Sequence, residues 1–430
     1  MKPRLTGSLA VNASVLAGAQ YLSAGIGFVS SVMVARMLGP TGYGAVTLLV
    51  AFPTLVWSVT AVKSILVTTR YLAQFQAARR FEDVASLCKL AYSLDLLSAV
   101  AALVLVAGTA PWVARTVYHL PDRWWLMVAV ATAFPAASLA GASSSVLLAW
   151  SRFRQLAALQ LIGGSLSFVL IVCALQLRTG ITGVVLATAF GQALAGLILT
   201  VGAARTMGAD GVRAWWTAST DRIRPLLGEL RASFGWSYVA ATMGAVITQL
   251  PVMMLGRLRG PEDAGFYRIA SSIVTVGTQL EGAMGQVAYP TLSAGGPAGL
   301  RALLKAWTVW PGLPAAALIA AAIPVLPLVV APVLGPGYTA MVPGAQIMMI
   351  GAAVGAALFW LNAVYLARGH FEALARASIL YALIVAGPGW LLGSRWGFLG
   401  FATLAAGGRL LVTLWLLAQV VRQRVRATPS

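Results

Sequence analysis

Five charged side chains interrupt long apolar stretches of this sequence. They are Lys63, Asp95, Arg268, Glu281 and Arg409. An ionised side chain inside a bilayer costs roughly 2.5–3.5 kcal/mol on insertion scales, so each one is a candidate for function. Three of the five are basic. This balance favours an anionic ligand.

Each of these charges also has a structural explanation. Lys63 lies seven residues before Arg70, so its ammonium could reach the membrane interface by snorkelling. The repeat described below maps Glu281 to a position about one helical turn before Lys63. We therefore expect the two side chains to meet, either as an ion pair that breaks and re-forms or as a static ion pair. Arg268 could anchor at the outer interface. Arg409 requires a partner or a wet surface.

The residue types that several common reactions need are missing. The two cysteines, Cys88 and Cys173, and the two histidines, His119 and His370, are too few and too far apart for a disulfide framework or a zinc site. None of the four lysines follows a glycine, which excludes a Walker A phosphate loop. We therefore expect no metal and no cofactor.

The composition indicates what must position these side chains. Of 430 residues, 59% are apolar and 10% are charged, whereas a soluble domain carries about 25% charged residues. This excludes a soluble or disordered chain and predicts an all-α polytopic membrane protein. We predict twelve transmembrane helices, at 11–35, 44–68, 91–114, 125–149, 155–177, 181–203, 233–255, 266–289, 307–331, 340–366, 377–394 and 397–421. Short amphipathic helices are expected at 72–89 and 298–306.

The net charge of +19 is explained by topology. If the N-terminus is cytoplasmic and the spans alternate, 20 of the 30 basic residues fall on the cytoplasmic side, seven on the outer side and three within spans. This asymmetry follows the positive-inside rule and places both termini in the cytoplasm. The surplus of positive charge therefore does not indicate a nucleic-acid partner.

The two halves of the chain repeat one motif. Arg36, Gly39, Pro40 and Gly44 recur as Arg257, Gly260, Pro261 and Gly265 at a constant offset of 221 residues. We therefore expect a six-helix bundle at 1–204, a basic cytoplasmic linker at 205–232 and a second six-helix bundle at 233–430. Six is even, so the bundles share one orientation, with a pseudo-twofold axis along the membrane normal.

These motifs resemble a known family. The segments ARMLGPTGYGAV and TTRYLAQ in the first half, and GRLRGPEDAGFYRIA and AYPTLSAGG in the second, are similar to the oligosaccharide flippase, or polysaccharide transporter, family. That family belongs to the multidrug/oligosaccharidyl-lipid/polysaccharide (MOP) exporter superfamily. The resemblance is specific over about 30–80 and 250–295.

The resemblance implies a transporter without catalytic residues. Its substrate would be a polyprenyl-diphosphate-linked oligosaccharide, moved by alternating access from the inner to the outer leaflet of the bacterial cytoplasmic membrane. We expect a monomer that contacts membrane lipids and that could work beside a polysaccharide polymerase and glycosyltransferases.

The candidate site residues form two groups. The predicted substrate-binding cavity contains Lys63, Glu281, Arg268, Arg409, Gln249 and Asn362. The predicted outer gate contains Arg36, Arg257, Gly39, Pro40, Gly260 and Pro261. Structural alternatives stay open for both groups: amides join neighbouring helices, and arginines cap helix C-termini.

Other functions remain as alternatives. A cation-coupled multidrug exporter of the same superfamily would favour more carboxylates in its cavity. A membrane glycosyltransferase or polymerase usually needs a large outer loop or clustered outer carboxylates, and the outer loops here have about ten residues, with only Asp122, Glu262 and Asp263 acidic. A scaffold role is a further alternative.

Overall fold

The computed structural model describes residues 3–61, 65–212, 215–220, 223, 227–294, 300–368 and 370–426. Over these residues the chain forms helices and turns, with no β-strand. The helices are α1 Pro3–Thr60, α2 Ile65–Ala77, α3 Phe81–Thr116, α4 Trp124–Thr132, α5 Phe134–Ala149, α6 Phe153–Gln176, α7 Gly180–Ala209, α8 Leu227–Leu258, α9 Pro261–Ala294, α10 Leu300–Trp307, α11 Leu313–Leu334, α12 Val342–Ala357, α13 Trp360–Ala367 and α14 Phe371–Arg426.

Two of these helices are each a pair of helical segments joined at a glycine. In α1 the break is at Gly39, with φ 70°, and in α14 it is at Gly397, with φ 56°. Positive φ is readily adopted only by glycine, so these two residues let the chain turn between successive spans without a loop. The predicted span 11–35 and the part of 44–68 up to Thr60 thus lie in α1, and the predicted pair 377–394 and 397–421 lies in α14.

The predicted membrane fold is confirmed. Each of the twelve predicted spans falls mainly on helix in the described residues. Four are divided between two helices: 44–68 between α1 and α2, 125–149 between α4 and α5, 307–331 between α10 and α11, and 340–366 between α12 and α13. Eight helical stretches among those residues are long and apolar enough to cross a bilayer, judged by length and composition. The chain is an all-α, multi-pass membrane protein.

One predicted amphipathic helix is wrong. The segment 72–89 is divided by a turn at Arg79, and residues from Phe81 onward belong to α3. The turn at Arg79 lets residues from both helices, Leu72 of α2 and Val84 and Leu87 of α3, pack into one core cluster. The other predicted amphipathic helix, 298–306, corresponds to α10.

The chain divides into two compact units. The first contains residues up to Ser30 together with Leu49–Ala241, and the second contains Ser31–Leu48 together with the chain from Thr242 onward. The first repeat motif therefore lies in the second unit, next to the second motif. The predicted division at 1–204, 205–232 and 233–430 stays a prediction.

Inside the first unit, α3, α5 and α7 share a buried polar network. The Tyr92 hydroxyl is 3.0 Å from the Ser143 Oγ, which donates to the Thr200 hydroxyl at 3.2 Å. One turn away, the Asp95 Oδ2 accepts a bond of 3.1 Å from the Ala142 amide. These bonds satisfy polar groups that would otherwise be costly to bury.

Candidate functional site

The two repeat motifs pack directly against each other in the second unit. A Cβ added to Gly44 would overlap the carbonyl group of Pro261. At the matching position of the second motif, a Cβ on Gly265 would lie 2.7 Å from the Pro40 carbonyl oxygen. The glycine that ends each motif therefore permits close contact with the proline of the other, which explains why both recur in the repeat.

The first motif also holds the end of α11. The Arg36 Nη1 donates to the Pro332 and Val333 carbonyls at 2.9 and 3.2 Å. These carbonyls belong to the last turn of α11, where oxygens lack partners within the helix and a cation is favoured. The Tyr338 hydroxyl donates to the Ala35 carbonyl at 3.2 Å. Arg36 is thus a helix cap in this structure, although it caps α11 and not its own helix.

The second motif holds the break in α14 from both sides. The Arg259 Nη2 donates to the Arg395 carbonyl at 2.7 Å, just before Gly397. The Asp263 Oδ2 accepts a bond of 2.9 Å from the Phe398 amide, just after it. The sequence analysis named Arg257 for this motif. The bonds that hold the break in α14, called the clasp below, are made by its neighbours Arg259 and Asp263.

A cavity of about 580 Å³ lies inside the second unit and contains three of the predicted cavity residues. Glu281 comes from α9, Asn362 from α13 and Arg409 from the second segment of α14. They are far apart in sequence, and the helices bring them to one cavity. The remaining lining residues named below were not predicted, because no local pattern marks them.

Glu281 and Arg409, which both line this cavity, form an ion pair. The Arg409 Nη2 donates to the Glu281 Oε2. Gly355 of α12 makes room for the guanidinium, since a Cβ there would lie 2.6 Å from Nη2 and 2.8 Å from Nε. The side chains are 30% exposed for Arg409 and 16% for Glu281, so the arginine presents more of its surface.

The rest of the cavity lining contains apolar and polar side chains. Five leucines provide apolar surface: Leu358, Leu361, Leu366, Leu374 and Leu416. The polar side chains are Asn362, Ser378, Tyr381 and Thr413. The Tyr381 hydroxyl already donates to the Ala405 carbonyl at 3.1 Å. Such a combination of apolar wall and few polar groups is typical of a site for an organic ligand.

The other predicted cavity residues are placed elsewhere or lie outside the described chain. Gln249 of α8 and Arg268 of α9 are half-buried and do not line this cavity. Lys63 lies outside the described residues, so its meeting with Glu281 stays a prediction. Gln346, another amide considered as a polar contact, donates to the Ile323 carbonyl at 2.9 Å and joins two helices.

Comparison with known proteins gives one family match. A family model described as "Polysaccharide biosynthesis protein" matches residues 9–295, about two thirds of the chain. No curated protein matches the chain.

Solved structures of similar fold cover nearly the whole chain. The lipid II flippase MurJ, in an inward closed conformation, is 14% identical with a TM-score of 0.73 over 94% of this chain and 87% of that protein. An inward-facing multidrug resistance MATE family transporter of the MOP superfamily is also 14% identical, with a TM-score of 0.75 over 94% and 96%. A MOP superfamily transporter from Pyrococcus furiosus is 13% identical, with a TM-score of 0.64 over 97% and 96%. At these identities the likeness shows a shared fold.

Proposed function

Because this chain belongs to the polysaccharide biosynthesis protein family, we propose that it moves a polyprenyl-diphosphate-linked oligosaccharide from the inner to the outer leaflet of the bacterial cytoplasmic membrane. The family resemblance expected from the repeat motifs is confirmed by that match. The protein has a MOP transporter fold. We propose that it alternates between conformations and forms or breaks no covalent bond in its substrate.

The cavity in the second unit is the observation that carries this proposal. A lipid-linked oligosaccharide has a charged diphosphate, a polar sugar and an isoprenoid chain. The cavity offers a guanidinium at Arg409, an amide at Asn362 and a wall of leucines within one volume of about 580 Å³. Each part of the substrate thus has a group of matching chemistry. We propose that Lys63, Arg268 and Gln249 contact the substrate at other stages of its passage.

Export of cationic drugs is the main alternative, because a MATE family transporter shares the fold. A cationic drug needs a carboxylate that is free to receive it. Glu281 is bound to Arg409 and is the less exposed member of the pair, 16% against 30%. A group in the cavity therefore reaches the guanidinium more readily than the carboxylate, which supports an anionic amphiphile over a cation.

We also propose that the two repeat motifs form the outer gate. Gly39 and Gly260 carry positive φ and let each turn bend sharply. Pro40 and Pro261 contact the opposite turn, so opening towards the outside requires these contacts to part. Both termini are then cytoplasmic, and the protein works as a monomer that could hand its cargo to a polymerase.

Reconstitution in liposomes tests the proposed function. A fluorescent polyprenyl-diphosphate oligosaccharide is placed in both leaflets, and a membrane-impermeant quencher reports the fraction exposed outside. We expect the protein to speed the exchange between leaflets over empty liposomes. Faster efflux of a cationic dye, without any effect on the labelled lipid, would overturn the proposal in favour of a drug exporter.

A further inference from the structure

We propose that Glu281 is an internal competitor for Arg409. In this proposal, which rests on the proposed function, the carboxylate holds the guanidinium until the substrate arrives. A phosphate group of the lipid carrier then replaces it, while the isoprene units nearest the phosphate lie along the leucines. Glu281 thereby sets how tightly the site binds its anion.

The first support is the geometry of the ion pair. The guanidinium of Arg409 carries five N–H donors arranged as a planar fork, and its bond to Glu281 runs through Nη2. A phosphate can accept two parallel bonds from such a fork. The larger exposed fraction of Arg409, 30% against 16% for Glu281, leaves the arginine accessible from the cavity.

The second support is the cost of an unpaired charge. An arginine without a counter-ion in an apolar setting is strongly destabilising, so a site that binds an anion only part of the time benefits from a resident carboxylate. Gly355 holds the guanidinium position, because any side chain there would push it away from the cavity wall. Exchange of one anion for another keeps Arg409 neutralised throughout.

The third support is the layout of the cavity. Asn362, Ser378 and Thr413 line the same cavity as the pair and provide hydrogen-bonding groups. These groups can bind the remaining phosphate oxygens. The five leucines that also line the cavity suit an isoprene chain but not a second charged group. The cavity volume of about 580 Å³ is in the range of sites for small organic ligands, and therefore fits the head-proximal part of the carrier.

Titration calorimetry of the detergent-purified full chain tests the proposal, with geranyl diphosphate as a soluble probe. We expect Glu281→Gln to bind the probe roughly tenfold or more tightly, because hydrogen bonds to a charged group are then available without competition. Arg409→Gln should lose binding, and the double variant should match Arg409→Gln. Glu281→Asp, which shortens the carboxylate, should fall between wild type and Glu281→Gln.

The chain offers a matched control pair. Glu372 and Arg376 form an exposed ion pair of 3.0 Å on α14, outside the cavity lining. Glu372→Gln and Arg376→Gln should leave probe binding unchanged. Inorganic diphosphate should bind more weakly than geranyl diphosphate, and geraniol without phosphate should not respond to Glu281→Gln.

The outcomes separate this proposal from the proposed function. If Glu281→Gln and Glu281→Asp bind the probe no more tightly than wild type, the competition is overturned, even if liposomes show lipid translocation. If both variants bind more tightly but wild type moves no lipid-linked oligosaccharide, the competition stands and the proposed function fails.

Discussion

Gly44 provides a sharp test of how the two repeat motifs pack. Gly44→Ala adds a Cβ that overlaps the Pro261 carbonyl and lies 3.2 Å from the Gly265 amide nitrogen. A carbon normally stays about 3.3 Å or more from a carbonyl oxygen. The obstacle is backbone on both sides, so no side-chain rotation relieves it and the two turns must separate.

The expected cost follows from this geometry. Overpacking a tight site costs about 1–3 kcal/mol, and a clash between backbones belongs at the upper end of that range. Gly27→Ala is the matched control, because Gly27 lies on the same helix with nothing within 4 Å of an added Cβ. That control should be neutral or stabilising by up to about 1 kcal/mol, since alanine is the better helix former.

Thermal unfolding of the purified protein, followed by the fluorescence of its 14 tryptophans, measures both variants. We expect Gly44→Ala to unfold at a clearly lower temperature than wild type and Gly27→Ala at the same temperature or higher. Equal unfolding temperatures for Gly44→Ala and Gly27→Ala would refute the close packing of the two motifs.

Two further substitutions separate positioning from stability. Gly355→Ala should push the flexible end of Arg409 aside, because the new Cβ would lie 2.6 Å from Nη2. We expect weaker binding of geranyl diphosphate and a smaller loss of stability than for Gly44→Ala. Unchanged binding would contradict the role given to this glycine. Asp263→Ala removes the acceptor of the Phe398 amide and should lower the free energy of unfolding by about 1 kcal/mol, as loss of a helix cap does. Glu262→Ala, at an exposed neighbouring position, should change it little in the same thermal unfolding measurement. Equal effects of the two substitutions would argue against the clasp.

The fold was predictable because it depends on apolar length and on a repeat, and both are visible in the sequence. Spans such as 181–203 are continuous apolar runs, and α7 covers that span. The segment 72–89 was predicted as one amphipathic helix because no glycine or proline marks the turn at Arg79. The turn is visible only in the structure, where Leu72 of α2 and Val84 of α3 pack into one core cluster.

The candidate site was predictable in part. Glu281, Asn362 and Arg409 were found because polar groups within apolar spans are costly and therefore conspicuous. The bond between Glu281 and Arg409 was not predicted, since the repeat offset pointed only to Lys63, whose meeting with Glu281 stays a prediction. Gly355 and the leucines gave no signal, because glycines and leucines are common throughout such a sequence.

The clasp at Gly397 shows a further limit of motif reasoning. Arg257 was chosen because it aligns with Arg36, and alignment treats the two motifs as equivalent. Arg36 reaches the end of α11, whereas in the second motif Arg259 makes the corresponding bonds to α14. The residues that hold α14, Arg259 and Asp263, align with Leu38 and Gly42 of the first motif, so an alignment of the two motifs could not point to them.

The most direct test of the central claim is the initial rate at which a labelled polyprenyl-diphosphate oligosaccharide changes leaflets in liposomes. We expect the rate with wild type and the rate with Arg376→Gln to exceed that of empty liposomes by the same margin. Arg409→Gln should lose most of this added rate. Wild-type liposomes that translocate no faster than empty ones would contradict the claim.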